Sequence, residues 1–242
     1  MGRLIISATS LNLLEECPLC FYLKVKEKID RPRPPTASIT FGMDRVIKNY
    51  FEKCRDKGIL PPFLRQTLGE KKLAEDTTLN LSADFFTQDN PPLRLRLLGK
   101  LDECLIDEKG KYYPLDHKTR GFAPGEDTLK FYKLQMNIYT LLLEKNGFPT
   151  AGKGYLVFYY PEGIEVPEWE DRLSGEVFQF AFKVKEIETS LEEATQVIWR
   201  AIRILRRDTP PNPSPRCAYC NWRRGRSRVK VVPPSPTENL LF

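Results

Sequence analysis

Two aspartates and a lysine fall close together in the middle of the chain. Asp102 closes the segment Gly-Lys-Leu-Asp that begins at Gly99, and Asp116 and Lys118 lie in the segment Pro-Leu-Asp-His-Lys. The turn-forming residues 107–110 between them predict a β-hairpin. Residues at positions i and i+2 of a strand share one face, so Asp116 and Lys118 are expected side by side.

These residue types suit the hydrolysis of a phosphodiester. Mg²⁺ and Mn²⁺ prefer carboxylate and water oxygens, so Asp102 and Asp116 are candidate metal ligands. Such an ion polarises the phosphate and lowers the pKa of a bound water. Lys118 could orient that water or stabilise the negative charge of the transition state. An ordinary ion pair on a surface hairpin is the alternative, and the Asp-x-Lys spacing alone favours it.

Four of the six cysteines form two Cys-x-x-Cys pairs, Cys17 with Cys20 and Cys217 with Cys220. In a cytoplasmic protein such pairs are more often metal ligands than disulfides. Four thiolates suit either a [4Fe-4S] cluster or a tetrahedral Zn²⁺ ion. Either metal would join the two ends of the fold, and its binding energy would become folding energy.

The composition is that of a globular protein. The chain has 242 residues, of which 41% are hydrophobic, enough for a core. It has no apolar run long enough to cross a bilayer and no signal-peptide layout at its start, so a cytoplasmic location without a membrane partner is expected. The net charge is +6, and basic residues crowd the C-terminal part, which suits a nucleic-acid backbone or a solvated basic tail.

The elements that must position these residues follow from periodicity and turn signals. The sequence predicts helices at 7–28, 39–57, 127–145 and 190–207, and strands at 93–107, 111–119, 154–160 and 176–184. Residues 61–90 are expected to be partly helical. Ser190 and Glu193 form a capping box, and Cys54 and Cys104 are expected as buried small apolar residues. This order predicts one α/β domain with a mixed sheet flanked by helices.

The order of the motifs resembles the PD-(D/E)XK nuclease superfamily, and more closely its RecB-like branch. That branch includes CRISPR-associated RecB-like exonucleases and AddB-like iron–sulfur nucleases. After Asp102 and Asp116-x-Lys118 comes Gln135-x-x-x-Tyr139, whose two side chains share one helix face. The resemblance implies that Gln135 and Tyr139 act near the scissile phosphate, whereas simple helix packing is the alternative.

The resemblance reaches both ends of the chain. The segment 7–10 is rich in serine and threonine and runs into Cys-Pro-x-x-Phe-x-Leu at 17–23, and a Cys-x-x-Cys pair is expected near the C-terminus. It implies a restriction-endonuclease-like core whose ends are joined by a four-cysteine metal site. The implied organisation is a nuclease domain over 1–232, with N-terminal helices 1–58, catalytic core 93–207 and cysteine segment 208–230, followed by a disordered tail at 233–242.

Two departures from the branch concern the metals. The branch usually has a metal-binding histidine after a glycine in the second helix, where this chain has Gly42-Met-Asp44, so Asp44 becomes the candidate third ligand with the backbone carbonyl of His117 as another. Asp44 could instead pair with Lys48, four residues on, and activity would then be weak or absent. Iron–sulfur members use one N-terminal and three C-terminal cysteines, so Cys20 would replace the missing one. The resemblance favours [4Fe-4S], and the spacing favours Zn²⁺.

The resemblance implies an exonuclease or end-processing nuclease that acts on single-stranded or frayed DNA. Repair, recombination or CRISPR adaptation are the implied settings, with a helicase or a CRISPR adaptation complex as partner. Arg120 and Lys133 are candidate phosphate contacts. The aromatic residues of 155–160 could stack on bases, although so apolar a strand is more often core. The rival hypotheses are a catalytically weak DNA-binding subunit and a zinc protein that binds another protein.

Overall fold

The computed structural model describes residues 3–32, 35, 37–88, 92–165 and 177–226. The predicted tail at 233–242 lies outside the described residues. The helices are α1 Ala8–Glu16, α2 Pro18–Val25, α3 Ser38–Asp56, α4 Pro62–Leu68, α5 Lys133–Lys145, α6 Leu191–Leu205 and α7 Ala218–Arg226. The strands are β1 Leu4–Ser7, β2 Lys72–Leu73, β3 Asn80–Phe86, β4 Arg94–Lys100, β5 Glu103–Ile106, β6 Tyr112–Thr119, β7 Lys153–Glu165 and β8 Val177–Glu188.

The strands lie in two mixed sheets instead of one. A three-stranded sheet has the order β1-β4-β3, and a five-stranded sheet has the order β2-β5-β6-β7-β8. The pairs β1–β4 and β6–β7 are parallel, and the other neighbours are antiparallel. The predicted α/β architecture with mixed pairing and flanking helices is therefore confirmed, with its strands divided between two sheets.

The predicted strand at 93–107 breaks in its middle. β4 ends at Lys100 in the smaller sheet, and β5 begins at Glu103 in the larger one. Leu101, between them, is 2% exposed, and the burial of its side chain stabilises the change of direction. The prediction of one continuous strand is wrong, and Asp102 lies at the bend before the hairpin strand β5.

The predicted helix at 7–28 is interrupted at Cys17, whose backbone is extended with φ −159° and ψ 111°. Pro18 lacks an N–H group and its ring clashes with the preceding turn, so it ends α1 and begins α2. Ser7 belongs to β1 and caps α1, with its hydroxyl accepting a hydrogen bond from the Ser10 amide. The break leaves Cys17 and Cys20 at the start of α2.

Two hydrophobic clusters lie on the opposite faces of the five-stranded sheet. On one face, α1, α5 and α6 share a cluster with Leu156 and Phe158 of β7. On the other, α3 and α4 share a cluster with Tyr155 and Val157. Cys104 belongs to the first cluster, and both it and Cys54 of α3 are buried, as predicted. No helix among the described residues is both long and apolar enough to cross a membrane.

The helix predicted at 127–145 begins as a 3-10 helix over Glu126–Phe131, and α5 starts only at Lys133. The N-cap half of the capping box of α6 is confirmed, because the Ser190 hydroxyl accepts a hydrogen bond from the Glu193 amide at 3.1 Å. The reciprocal half is replaced, because the Ser190 amide donates to Asn137 instead of to Glu193. Asn137 joins the two helices: its amide donates to Glu193 at 2.7 Å and its oxygen accepts from the Ser190 amide at 2.9 Å. This connection holds α5 in place against the sheet that carries β6.

Gly99 of β4 lies where any side chain would collide with α5. A Cβ atom there would lie 2.3 Å from Leu142 Cδ1, and Leu142 is fully buried, so its side chain has little room to move. We expect Gly99→Ala to lower the free energy of unfolding by about 1–3 kcal/mol, as overpacking usually does. Gly42→Ala in α3 meets open space and should instead raise it by about 0.5–1 kcal/mol. Equal urea midpoints for the two variants would contradict this prediction.

Candidate active site

A hydrogen-bonded network joins β6 to α5. Lys118 forms an ion pair with Asp116 and donates to Gln135 Oε1 at 3.0 Å. The Gln135 amide donates to Asp116 Oδ1 at 2.9 Å and to the Tyr139 hydroxyl oxygen at 2.8 Å. The Tyr139 hydroxyl in turn donates to the carbonyl of Lys100 at 3.0 Å. The structure therefore brings four of the sequence-predicted side chains into direct contact.

Asp102 lies beside Asp116: it directly precedes Glu103, which pairs with Leu115 of β6, and its charge acts on Asp116. Asp102 Oδ2 accepts a hydrogen bond from the backbone amide of His117 at 3.0 Å, and Oδ1 lies 3.5 Å from Lys48 Nζ. One carboxylate thus comes from a bend and the other from a strand. This amide bond fixes the orientation of Asp102 relative to β6.

The carboxylate of Asp116 is 2% exposed. Burial raises its pKa to about 6; the neighbouring Lys118 lowers the pKa, and Asp102 raises it. Asp116 Oδ2 accepts no well-formed hydrogen bond, so the ion pair with Lys118 is its compensation. A divalent cation between Asp102 and Asp116 would stabilise both carboxylates, and oxygen donors are what Mg²⁺ and Mn²⁺ prefer. The residues present therefore fit such an ion.

The ring of Tyr132 lies under the Lys118 ammonium, with 4.7 Å between Nζ and the ring centroid. This contact is absent from the sequence-based expectations. Tyr132, Gln135 and Tyr139 recur at spacings of three and four residues, which is the repeat of one helix face. From this spacing, the sequence alone could have predicted that Tyr132 lies on the same face as Gln135 and Tyr139. The three side chains together surround Lys118 and Asp116 from the side of α5.

Asp44 and Lys48 of α3 lie on the other side of Asp102. Lys48 Nζ donates to Asp44 Oδ2 at 2.8 Å and lies 3.5 Å from Asp102 Oδ1, so one ammonium bridges the two carboxylates. This is the i,i+4 pair that the sequence offers as the alternative to a ligand role. A ligand role for Asp44 requires Lys48 to move aside, and it stays a prediction.

The imidazole of His117 points to the face opposite Asp116 and Lys118, as the alternation of strand residues requires. Its ring centroid lies 4.5 Å from that of Phe51, and Nδ1 lies 3.2 Å from the Tyr159 hydroxyl. Burial lowers the pKa of His117 to about 4, so the ring is neutral at pH 7. The ring therefore packs against α3. The ligand role expected of its backbone carbonyl stays a prediction.

Glu103 directly follows Asp102 and forms an ion pair with Arg55 of α3. Burial raises the pKa of Glu103 to about 8, and the nearby Arg55 lowers it. The pair ties α3 to β5 and so keeps Lys48 close to Asp102. No periodicity or motif links these two positions in the sequence, and the contact is a product of the tertiary fold.

The four thiols of the two Cys-x-x-Cys pairs meet in one buried cluster, with their Sγ atoms all within 4.8 Å of one another. The Sγ atom of Cys17 lies 3.9 Å from that of Cys220. The Sγ atom of Cys20 lies 3.9 Å from that of Cys217 and 3.4 Å from that of Cys220. Burial acts to raise the pKa of Cys17, but hydrogen bonds from the backbone of Cys20 and Ser214 lower it to about 7. The cluster can hold a metal ion, as the sequence predicts.

The sulfur spacing fits one tetrahedral ion. Zn–S bonds of about 2.3 Å at tetrahedral angles place thiolates roughly 3.8 Å apart. Three of the sulfur–sulfur separations here are 3.4 to 3.9 Å, and all lie within 4.8 Å. In a [4Fe-4S] cluster each thiolate binds a different iron ion. Any two thiolate sulfur atoms are then separated by two iron–sulfur bonds and an edge of the cube. That separation is longer than the distances between the Sγ atoms of these four cysteines. The four clustered cysteines can bind either Zn²⁺ or an iron–sulfur cluster.

A family model of the PD-(D/E)XK nuclease superfamily matches residues 41–224. The match covers well over half of the chain, and the chain belongs to this superfamily. The restriction-endonuclease-like core expected from the motifs is consistent with the observed α/β fold.

Two further comparisons accompany the family match. No curated protein matches this chain. A solved structure described as the crystal structure of SSO0001 is 16% identical, with 85% of this chain and 78% of that chain covered and a TM-score of 0.41. A likeness at this level carries no argument about activity.

Proposed function

We propose that this chain is a Mg²⁺- or Mn²⁺-dependent deoxyribonuclease of the RecB-like branch. Membership of the nuclease superfamily supports hydrolysis of a phosphodiester. The observation that carries the proposal is the network that joins Asp116 to Lys118, Gln135 and Tyr139, with Asp102 beside it. Superfamily active sites need a metal-binding acid and a nearby cation, and this network supplies both.

The metal ligands in this proposal are Asp102 and Asp116, with Asp44 and the backbone carbonyl of His117 as additional ligands. When bound, the ion polarises the phosphate and lowers the pKa of the attacking water. The backbone amide of His117 keeps Asp102 turned toward β6. The burial of Asp116 excludes competing water from one side of the site.

Lys118 supplies positive charge where negative charge develops on the phosphate. Its ammonium is held by Asp116 and by Gln135 Oε1, so it is oriented before the substrate arrives. The side-chain amide of Gln135 accepts a hydrogen bond from Lys118 and donates one to Asp116. Tyr139 anchors Gln135 to the carbonyl of Lys100, which ties α5 to the smaller sheet. These two residues are therefore positioning residues in the proposed mechanism.

DNA is the substrate that superfamily membership implies, and the RecB-like order of motifs supports single-stranded or frayed ends as the form that is cut. The same order supports exonuclease or end-processing activity in repair, recombination or CRISPR adaptation. A helicase or a CRISPR adaptation complex is the proposed partner, and the cytoplasm is the proposed location. Exposed basic side chains along α6 and α7 offer contacts for the DNA backbone.

For the cysteine cluster we propose Zn²⁺ in place of the [4Fe-4S] cluster that the resemblance implies. The short distances between sulfur atoms support one ion, and the division into two cysteines at each end matches zinc sites. The amides of Ser214 and Cys220 point at the thiols of Cys17 and Cys217 and stabilise their negative charge. The ion would be structural, because four thiolates leave no open position.

We expect cleavage of DNA only in the presence of Mg²⁺ or Mn²⁺. The full chain is incubated with end-labelled single-stranded DNA, blunt duplex and duplex with frayed ends, in Mn²⁺ or in EDTA. Single-stranded and frayed substrates should be cut, EDTA should stop the reaction, and Asp102→Asn should behave as the EDTA sample does. Cleavage that persists in EDTA would contradict the metal dependence.

A catalytically weak DNA-binding subunit is the second candidate function. The observation that favours it is the ammonium of Lys48, which bridges Asp44 and Asp102 where a third metal ligand is expected. In that case the protein would bind the single-stranded, blunt and frayed DNA of the cleavage assay, each as tightly in Mn²⁺ as in EDTA. It would cut none of them. The cleavage assay above therefore separates the two functions.

A further inference from the structure

An open pocket of about 250 Å³ lies next to the candidate active site. Its walls come from the start of α3, the end of β6 and the adjoining parts of β7 and β8. The lining includes Ile39, Met43, Thr119, Arg120, Tyr159 and Phe180. The volume is below the roughly 300 Å³ at which pockets for drug-sized ligands begin. It is therefore suited to one planar ring system.

The pocket begins where the candidate active-site segments end. Thr119 directly follows Lys118 on β6, and Met43 directly precedes Asp44 on α3. The amide of Arg120 donates to the carbonyl of Tyr159 at 2.9 Å, which extends the pairing of β6 with β7 beyond Lys118. This pairing fixes the pocket relative to the catalytic lysine. Strand alternation places the Thr119 side chain on the α3 face of β6, opposite Lys118, and Lys48 of α3 reaches Asp102 from that side. The pocket therefore approaches the carboxylates from the side of Asp102.

Aromatic side chains and one cation are the chemical groups at the pocket. Phe180 is 44% exposed although it is a large apolar residue, and Phe122 close by in the chain is 67% exposed. The guanidinium of Arg120 lies 4.8 Å from the centroid of the Phe122 ring and donates to the Thr128 hydroxyl at 3.4 Å. Among the described residues, no carboxylate pairs with Arg120. Exposed rings beside a cation are the groups that bind bases and phosphates of single strands.

We propose that this pocket receives one unpaired nucleobase of the strand whose phosphate lies at Asp102 and Asp116. The inference rests on the proposed function and adds a specificity site to it. Phe180 stacks on the base, and Arg120 pairs with the phosphate of the same nucleotide. A base that is paired within a duplex cannot enter, so the pocket selects single-stranded or frayed DNA.

The binding test is made in EDTA, where no cleavage interferes. Single-stranded DNA with 2-aminopurine at one position is titrated with the full chain, and anisotropy and quenching are recorded. Phe180→Ala should weaken binding at least fivefold, from about 1 kcal/mol or more per stacked base, and should reduce the quenching. Phe86→Ala is the matched control, because Phe86 is 51% exposed on β3 of the other sheet. Its affinity and quenching should equal those of the wild type.

The cleavage test uses a single abasic position moved along the same strand in Mn²⁺. In the wild type, cutting should slow at least about fivefold at one phosphate next to the missing base. The Phe180→Ala variant should lose this dependence on position. Thermal melts of both variants confirm that each is folded before the comparison.

The outcomes separate this inference from the nuclease proposal. Equal binding by Phe180→Ala and Phe86→Ala, with no effect of the abasic position, would overturn the pocket even if DNA is cut. Binding and quenching that depend on Phe180 in a protein that cuts nothing would support the pocket and remove the nuclease proposal. A wild-type dimer that dissociates in Phe180→Ala would assign the pocket to a second copy of the chain, which would also overturn the inference.

Discussion

Lys118→Met should reduce the rate of DNA cleavage by about 10²- to 10³-fold, the usual effect of removing one group that stabilises transition-state charge. Methionine keeps the length of the side chain and removes the ammonium that pairs with Asp116 and donates to Gln135. The affinity for DNA should change little, because Lys118 is one cation among many. Single-turnover cleavage in saturating Mn²⁺, together with binding in EDTA, measures the two effects separately.

Lys111→Met is the matched control for this prediction. Lys111 lies exposed in the turn of the same hairpin, away from the carboxylates, so its loss should leave the cleavage rate unchanged. If Lys118→Met cuts DNA as fast as Lys111→Met, the network of β6 and α5 is structural. The proposed role of the ammonium would then be wrong.

A loss of folding must be distinguished from a loss of catalysis in the same experiment. Lys118→Met leaves the buried Asp116 without its ion pair, and an unpaired buried charge destabilises a fold. The double variant Asp116→Asn with Lys118→Met removes both charges at once. It should recover thermal stability relative to Lys118→Met and still cut no DNA. Recovery of stability together with activity would contradict the assignment of Asp116 as a metal ligand.

The parts of the site that depend on local periodicity were predictable from the sequence. Asp116 and Lys118 share a face because strand residues alternate, and Gln135 and Tyr139 share a face because helix residues recur every three to four positions. The same alternation places the His117 ring on the opposite side. The position of Asp102 was harder, because the burial of Leu101 turns the chain between two sheets where the pattern suggested one strand.

The contacts that join distant segments had no local signal. Lys48 reaches Asp102 across 54 positions of chain only because α3 packs over the sheet, and the ion pair of Arg55 with Glu103 holds it there. The pocket at the end of β6 likewise combines α3, β6, β7 and β8. Such neighbours follow from the packing of elements, and a single sequence does not encode their distances in any repeat. The cysteine pairs are the exception, because the Cys-x-x-Cys spacing itself predicts that the thiols bind a common metal.

Removal of the metal from the cysteine cluster should release α7 while the rest of the fold stays intact. Among the described side chains of α7, Cys220 is the buried residue, and Tyr219 is half-buried. A helix of nine residues is marginal in water without tertiary support. A metal ion bound by Cys17, Cys20, Cys217 and Cys220 would therefore be an important attachment of α7, beside the contact of Arg31 with the Tyr219 ring. The two large hydrophobic clusters do not depend on that ion.

Cys217→Ala should consequently reduce amide protection in α7 to nearly that of an unstructured peptide, while α5 and β6 keep theirs. Cys104→Ala is the matched control: it removes a buried thiol from the main core, so it should lower global stability slightly and leave α7 protected. Hydrogen exchange of both variants measures the protection of α7, and metal analysis of the wild type identifies the bound metal. Stoichiometric zinc in a colourless protein is expected, whereas stoichiometric iron with visible absorption would restore the iron–sulfur assignment. Unchanged amide protection of α7 in Cys217→Ala would contradict this prediction. It would show that contacts other than the metal site keep the helix folded.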